Sequence, residues 1–314
     1  MNFELSDEQR MIQQNVERFV EDNYDLNTRV ALSSKSPGFS TEYWQSMAEL
    51  GWLGLPFEEE DGGFGGNQID VLVVMEQFGR GLVLEPYLAS IVMGGGALKR
   101  GGSEALKREM LPGVIEGSLQ LAFAYAEMQS RFDLDDVMTS ARKEGKNFIL
   151  NGQKSMVQNA ETADQIVVTA RTSGGQVGQQ GITLFLIAAD AEGLSRDNFP
   201  TVDGLRASEI TLENVSVGAE RILGKVDQGF NILQSVANDA MLALSAEAVG
   251  AMEVLYKDTV DYTQQREQFD HPLSEFQVLQ HRMVDMFMEY EQCKSLLYRA
   301  TMETIQDPEA AQRT

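Results

Sequence analysis

QQREQFDHPLSEFQVLQH, residues 264–281, is a charged corner without glycine, and a helical apolar period runs into it from both sides. Upstream, Leu233, Val236, Ala240, Leu244, Ala248, Met252 and Leu255 recur on one face; downstream, Phe276, Leu279, Met283, Met286, Phe287, Tyr290, Cys293 and Leu297 recur on another. The spacing predicts two long amphipathic helices joined at the corner. They can cover each other only in part, and the sequence then reaches DPEAAQRT (307–314), a polar turn with a proline. Other surfaces must bury the remaining apolar faces. Methionine is frequent in both stripes, where gap filling is its default role and ligand gripping a minor one. Arg266, Gln268 and Phe269 stand side by side at the corner. Alone, such a trio reads as a solvated cap with a packed ring.

Working outward, the period changes twice. Residues 1–118 read as helices: Ser6 and Gln9 make a capping box, followed by Ile12, Val16, Phe19 and Val20 at helical spacing. A second helix carries Trp44, Met47 and Leu50, and a third Val71, Val74, Met75 and Phe78. DGGFGG (61–66) lies between them with neither the GxGxxG nor the Walker spacing, so it reads as a connector. Over 119–228 the period becomes two, in LQLAFAYAE, KNFILNGQKSMV, DQIVVTART, GITLFLIAAD and ASEITLENVSV. Asn151-Gly152 is the residue pair of a type I′ hairpin turn, and a domain of several short antiparallel strands is expected. From 229 to 314 the helical period returns. The fold class is therefore α+β, in the order helical, β, helical.

With 25 Lys and Arg against 48 Asp and Glu the formal charge is −23, which argues against affinity for nucleic acid or an anionic membrane. One cysteine, Cys293, excludes an internal disulfide and falls on an apolar stripe, where it reads as core. Two histidines and one cysteine give no zinc or iron-sulfur constellation, so no metal is expected. MNFELSDEQR lacks an apolar signal core, and no apolar run reaches the ~18 residues of a membrane span. A cytoplasmic protein is expected.

The order of textures, with RxQF between two long helices, resembles the acyl-CoA dehydrogenase family of flavoproteins from Leu5 to the end. The stretches that carry the resemblance are ELGWLGLPFEEEDGGFGG (49–66), FGRGLVLEPYLAS (78–90), NGQKSMVQNAETADQIVVTAR (151–171), DGLRASEITLENVSV (203–217) and REQFDHPLSEFQVLQHRMVDM (266–286). The resemblance implies an N-terminal helical domain, a middle antiparallel β domain and a C-terminal helical bundle, incomplete in this chain. It also implies FAD as cofactor, an acyl-CoA substrate, and an electron-transferring flavoprotein as acceptor. In the family the Arg-x-x-Phe corner reaches the FAD site of a neighbouring subunit. There Arg266 can offer a fork to a pyrophosphate, Gln268 an amide donor and Phe269 an aromatic face.

Departures from the family pattern matter as much. AYAEMQSRFDLDDV keeps Glu127 but lacks the family's Gly-rich segment, and places Arg131 and Asp133 there. Arg131 lies near the expected CoA channel and can meet a phosphate, or pair with Asp133, Asp135 and Asp136. Where the family sets a Trp and a Thr against the isoalloxazine, this chain has Met156 and Gln158; Gln158 can donate to a flavin or face solvent. The family removes a proton α to a thioester carbonyl with a glutamate. In most members that glutamate lies in a C-terminal part that this chain lacks, as does the Gly-rich QxxGG segment. In a minority it aligns with Ala240. Asp239 is turned from that direction by about 100°, and Glu247, two turns on, reads as a surface or interface residue. The catalytic base is assigned to no residue.

MNFELSDEQR, EPYLAS, NGQKxxV with Ala163-Asp164, and GLRASEITLENV are most similar to the small subunit of the pimeloyl-CoA dehydrogenase type, itself similar to partner subunits of steroid-type acyl-CoA dehydrogenases. This implies an α2β2 assembly with a related chain, in fatty acid or steroid catabolism. A noncatalytic scaffold that kept the fold without the cofactor, and a truncated homo-oligomeric dehydrogenase, are the alternatives.

Overall fold

The computed structural model describes residues 4–307; the first three residues of MNFELSDEQR and the 308–314 part of DPEAAQRT lie outside the described residues. The helices of the first third are α1 (Asp7–Asn23), α2 (Leu26–Ser33), α3 (Thr41–Glu49), α4 (Gln68–Gly81), a π-helical stretch (Tyr87–Gly95), α5 (Gly96–Gly101) and α6 (Glu104–Ile115). The strands β1 (Leu121–Ala124), β2 (Ser140–Glu144), β3 (Asn147–Gln158), β4 (Gln165–Arg171), β5 (Ile182–Ala188), β6 (Leu194–Pro200), β7 (Arg206–Gly218) and β8 (Ile222–Leu223) follow. Then come α7 (Phe230–Gln265), a small hairpin of β9 (Glu267–Gln268) and β10 (His271–Pro272), and α8 (Gln277–Gln306). These elements form two compact units. One takes the chain up to Arg29, Asn67–Val83 and everything from Met241; the other takes Val30–Gly66 and Leu84–Ala240.

The first unit packs α1, α4, α8 and most of α7. Ser6 Oγ accepts from the Gln9 amide at 3.1 Å while the Gln9 side chain accepts from the Ser6 amide at 3.0 Å, closing the capping box the sequence predicts. Asn67 and Asp70 repeat the device at α4. Two glycines let α4 and α7 meet backbone to backbone. A Cβ on Gly79 would stand 1.8 Å from the Glu247 carbonyl oxygen, and one on Gly250 would stand 1.9 Å from that of Glu76. The side chain of Glu76, buried, accepts from Lys294 Nζ at 2.7 Å and from the Tyr298 hydroxyl at 3.3 Å, tying α8 to α4. Burial opposes the Lys294 ammonium, yet Glu76 more than offsets it and raises Lys294 above the ordinary lysine range.

The predicted stripe on α7 holds only for its first half. Leu233, Val236 and Ala240 are buried, but Leu244, Ala248 and Leu255 are exposed, and Ala243, Ala246, Val249 and Gly250 are buried instead. A close helix crossing selects small residues, which an apolar scan undervalues. On α8, Tyr290 and Leu297 are buried, Cys293 is half-buried rather than core, and Phe287 is exposed together with Val278, Val284, Met288 and Leu296.

The second unit is built on an eight-stranded sheet in the order β6-β7-β3-β2-β4-β5-β8, with β1 beside β4. Pairing is antiparallel except for β1 with β4 and a single Ser140–Arg171 bridge between β2 and β4. Alternate residues Phe148 and Leu150, Ile166 and Val168, Phe185 and Ile187, and Ile210 and Leu212 close one core, and the Phe148 and Phe185 rings meet at 5.3 Å. The strand-like stretches of the sequence all lie in strands. SARKE (β2) and LSRDNFP (β6) carried no apolar alternation because most of their residues are exposed.

Asn151-Gly152 is not a hairpin turn; both residues lie inside the continuous β3. Two residues of β7, Glu213 and Asn214, bulge opposite Asn151, whose Oδ1 accepts from the Asn214 amide at 2.9 Å. Thr139 lies where a Gly152 side chain would start, its Oγ1 2.5 Å from a built Cβ. The pair serves a bulge and a close approach, two other uses of the same residue types. The actual turn is Gly145-Lys146, between paired Glu144 and Asn147. DGGFGG runs as a short 3-10 turn and loop, with Gly63 against the Phe57 carbonyl, a packed connector.

Candidate functional site

β1 feeds directly into the segment 125–139, which is anchored from below by one carboxylate. Glu127, 4% exposed, accepts from the Met138 amide (2.7 Å), the Thr139 amide (3.0 Å), Gln129 Nε2 (2.8 Å) and Lys154 Nζ (2.7 Å). Lys154, on β3 and wholly buried, also donates to Thr169 Oγ1 on β4 at 2.8 Å. Burial works hardest against the charge of Glu127, but Lys154, Gln129 and Thr139 together outweigh it and hold the carboxyl below its ordinary range. Burial likewise pushes Lys154 down to about 8, against the pull of Glu127. The pair fixes the 125–139 segment from its buried side.

The outer side chains of that segment include Arg131, exposed and with φ +50. Its guanidinium has no ion pair with Asp133, Asp135 or Asp136, and no other polar partner among the described residues. Of these, Asp136 accepts from Gln129 and Gln176 through its carboxylate, and the Asp135 backbone carbonyl accepts from Arg171. Arg171 also donates to the carbonyls of Gln176, Gly178 and Gln180 at 2.7–2.9 Å, clasping the 173–181 loop to this segment. On β3, Met156 adopts φ +55 and is 54% exposed. Gln158 is half-buried, and its amide meets no partner among the described residues.

In the other unit the corner forms a two-residue hairpin turn. β9 and β10 pair Gln268 with His271, which leaves Phe269 and Asp270 as the turn at φ +57 and φ +65. Both central positions of a type I′ turn require positive φ, and Asn-Gly is the sequence that adopts it with least strain. Here a phenylalanine does so and stands 86% exposed, its ring nearly perpendicular to that of Phe276 with centroids 6.4 Å apart. Strain of this kind persists where function requires it. The Arg266 guanidinium is exposed and without a polar partner among the described residues. Gln268 folds its amide back onto the Glu267 carbonyl at 2.8 Å.

Two acidic residues lie near the expected base position. Asp239 is ion-paired with Arg100, and its neighbour Ala240 is buried. Glu247 is half-buried at the close crossing of α7 with α4, where its carbonyl faces Gly79. The sequence reading brought out Glu127 but passed over Lys154 and Arg171. The signal for Lys154 was its parity: Phe148, Leu150 and Lys154 share the inward face of β3, and a lysine placed there needs a counterion.

Models of the acyl-CoA dehydrogenase N-terminal, middle and C-terminal domains match residues 6–118, 122–215 and 227–313. The chain is 30% identical over 96% of its length to a probable acyl-CoA dehydrogenase, YngJ, of Bacillus subtilis, covering 80% of that protein. Among solved structures it is similar to PigA with FAD and proline (TM-score 0.90, 28% identity, 98% of this chain and 81% of that one). It is also similar to the steroid acyl-CoA dehydrogenase Tcur3481-Tcur3483 (TM-score 0.85, 27% identity, 96% and 78%). Among the described residues no cluster of His, Cys, Asp or Glu is arranged for a metal, and no helix is long and apolar enough to cross a membrane. FAD is bound in PigA, and each unit, taken by itself, carries groups that suit part of such a cofactor: at the corner of the first, a free guanidinium and exposed Phe269; on β3 of the second, exposed Met156 and the unpaired Gln158 amide. With all three domain models matched in order along one chain, the protein belongs to the acyl-CoA dehydrogenase family.

Proposed function

We propose that this chain is the partner subunit of a heteromeric, FAD-dependent acyl-CoA dehydrogenase, assembled as α2β2 with a related chain that supplies the catalytic base. The observation that carries the reading is the corner: a free Arg266 beside a strained, exposed Phe269, presented away from its own unit's core. Bound FAD would supply the hydride acceptor for α,β-dehydrogenation of a CoA thioester. In this reading Arg266 holds the pyrophosphate, Phe269 covers the adenosine end and Gln268 turns its amide outward to donate. Met156 and Gln158 meet the ring, and Arg131 pairs with a phosphate of the CoA moiety. No carboxylate of this chain is offered for the α proton, because Ala240 stands at that position and Asp239 is held by Arg100.

Exposed Leu244, Leu255, Val284, Phe287, Met288 and Leu296 on α7 and α8 support assembly with another family chain, since scattered apolar residues need no explanation but two neighbouring helices lined with them do. An electron-transferring flavoprotein is the proposed acceptor, the cytoplasm the proposed location, and fatty acid or steroid degradation the proposed setting. A homo-oligomer is the alternative assembly.

The test is coexpression with a related family chain, with released flavin and acyl-CoA oxidation measured on the purified complex. About one flavin per pair of chains is expected, because a closed symmetric assembly repeats one shared site per pair. Arg266→Ala should weaken flavin retention roughly ten- to a hundredfold, the worth of charge-assisted phosphate contacts. A complex that holds no flavin, or one indifferent to Arg266→Ala, would point to a noncatalytic scaffold.

A further inference from the structure

Two bulges interrupt the pairing of β3 with β7, and they share one construction. Opposite Asn151, the bulged strand is β7, with Asn214 at φ +56. Opposite Glu209, the bulged strand is β3, with Met156 at φ +55 between paired Lys154 and Val157. In each, the residue with positive φ has its amide taken by the side chain directly across: Asn214 by Asn151 Oδ1 at 2.9 Å, Met156 by Glu209 Oε1 at 3.3 Å. Glu209 Oε1 also accepts from Ser155 Oγ at 2.8 Å, so one carboxylate oxygen engages both bulged residues.

The occupants differ in a telling way. Asparagine tolerates the left-handed region, because its short polar side chain bonds locally; methionine has no such compensation. A bulge needed only for twist would be filled more readily by Asn, Asp or Gly. What methionine adds is presentation. Bulges next to ligand sites re-aim a side chain, and here the neighbours Lys154 and Val157 are buried while the Met156 thioether stands exposed.

We infer that Glu209 is a positioning residue, which holds the Ser155-Met156 bulge so that the Met156 side chain is directed at the flavin ring. The identity of what Met156 meets rests on the function proposed above; the anchor is a property of this chain alone.

Methyl-13C methionine labelling reads the anchor directly, with the Met156 signal assigned by its loss in Met156→Leu. In Glu209→Ala the Met156 methyl signal is expected to sharpen and move toward its unstructured position, while Met128 and Met138 stay unmoved. Glu209→Gln should keep the native signal, because an amide oxygen can accept both bonds. In the flavin-loaded complex, Glu209→Ala should weaken flavin retention about three- to tenfold and alter the visible flavin band as Met156→Ala does. The double variant should be no worse than Met156→Ala, the mark of residues acting in series. An unmoved methyl signal in Glu209→Ala overturns the anchor. Additive losses, or a wild-type complex without flavin, overturn its role toward the ring while leaving the methyl result to judge the anchor separately.

Discussion

Lys154→Met is expected to destabilise the protein by about 3–5 kcal/mol, because it leaves the Glu127 carboxylate buried without its counterion. The size follows from what stays behind. Methionine fills nearly the same volume, so little of the loss is cavity, and nearly all of it is uncompensated charge. Glu127→Gln with Lys154→Met should recover part of it, since no lone charge remains, while the single amide oxygen can accept from only one of the Met138 and Thr139 amides, which bond different oxygens of Glu127.

The pH dependence carries a sign that separates this cause from simple packing loss. In the wild type Glu127 titrates below its ordinary 4.5. Its ionised form therefore contributes stability above that value, and the contribution disappears as pH falls through the lower, folded value. Without Lys154 the Gln129 and Thr139 hydrogen bonds remain but the counterion is gone, so burial raises Glu127 relative to the wild type and the penalty in the variant recedes on acidification. Urea unfolding of both proteins should show their difference shrinking from neutral pH toward about pH 5. A constant difference across that range would mean that packing, not charge, is what Lys154 provides.

Gly250→Ala is the second large effect, and here two physical arguments predict opposite signs. Helix propensity favours alanine over glycine by about 1 kcal/mol. Packing opposes it: the new methyl would sit 1.9 Å from the Glu76 carbonyl oxygen, a backbone atom that cannot swing aside. The helices must separate, and Glu76 must shift against Lys294 and Tyr298 as they do. Overpacking of this kind costs about 1–3 kcal/mol, so after the propensity gain a net destabilisation of up to about 2 kcal/mol is expected in thermal or urea unfolding. Gly79→Ala, which meets the Glu247 carbonyl at 1.8 Å, should act alike. The pair should cost less than the sum, because one separation admits both methyls. A gain in stability from either would mean that the crossing is looser than its geometry.

The contrast between these two sites explains what the sequence could tell. Side-chain periodicity reports burial by large apolar residues, so α1, α4 and the strands β3, β4, β5 and β7 were legible. It is blind to burial by small ones, which is why the apolar stripe was followed down the wrong face of α7, past Leu244 and Leu255, when Ala243, Ala246 and Gly250 were the ones hidden. It is equally blind to strands with polar edges, hence β2 and β6. Asn-Gly was misread because positive φ and a missing Cβ serve turns, bulges and close approaches alike; only the strand across, with Asn214 and Thr139, distinguishes them. At the candidate site, the corner was legible as a turn between two long helices, but the trio by itself reads as a solvated cap, and only the resemblance to the family gives it a role. The freedom of Arg131 was not legible, because nearby acidic residues suggest ion pairs, and a sequence does not reveal that Gln129 and Gln176 have already engaged Asp136.

The Phe269-Asp270 turn bears on how this protein would respond to laboratory evolution. Both residues hold a backbone conformation that Asn-Gly adopts with less strain, so a selection for heat resistance alone has a short mutational route to a more stable hairpin. That route removes the one aromatic ring the corner displays. Under the function proposed above, libraries screened only for soluble, heat-resistant protein would therefore drift toward variants that fold better and hold flavin less well, and the codons for residues 269 and 270 would record it first.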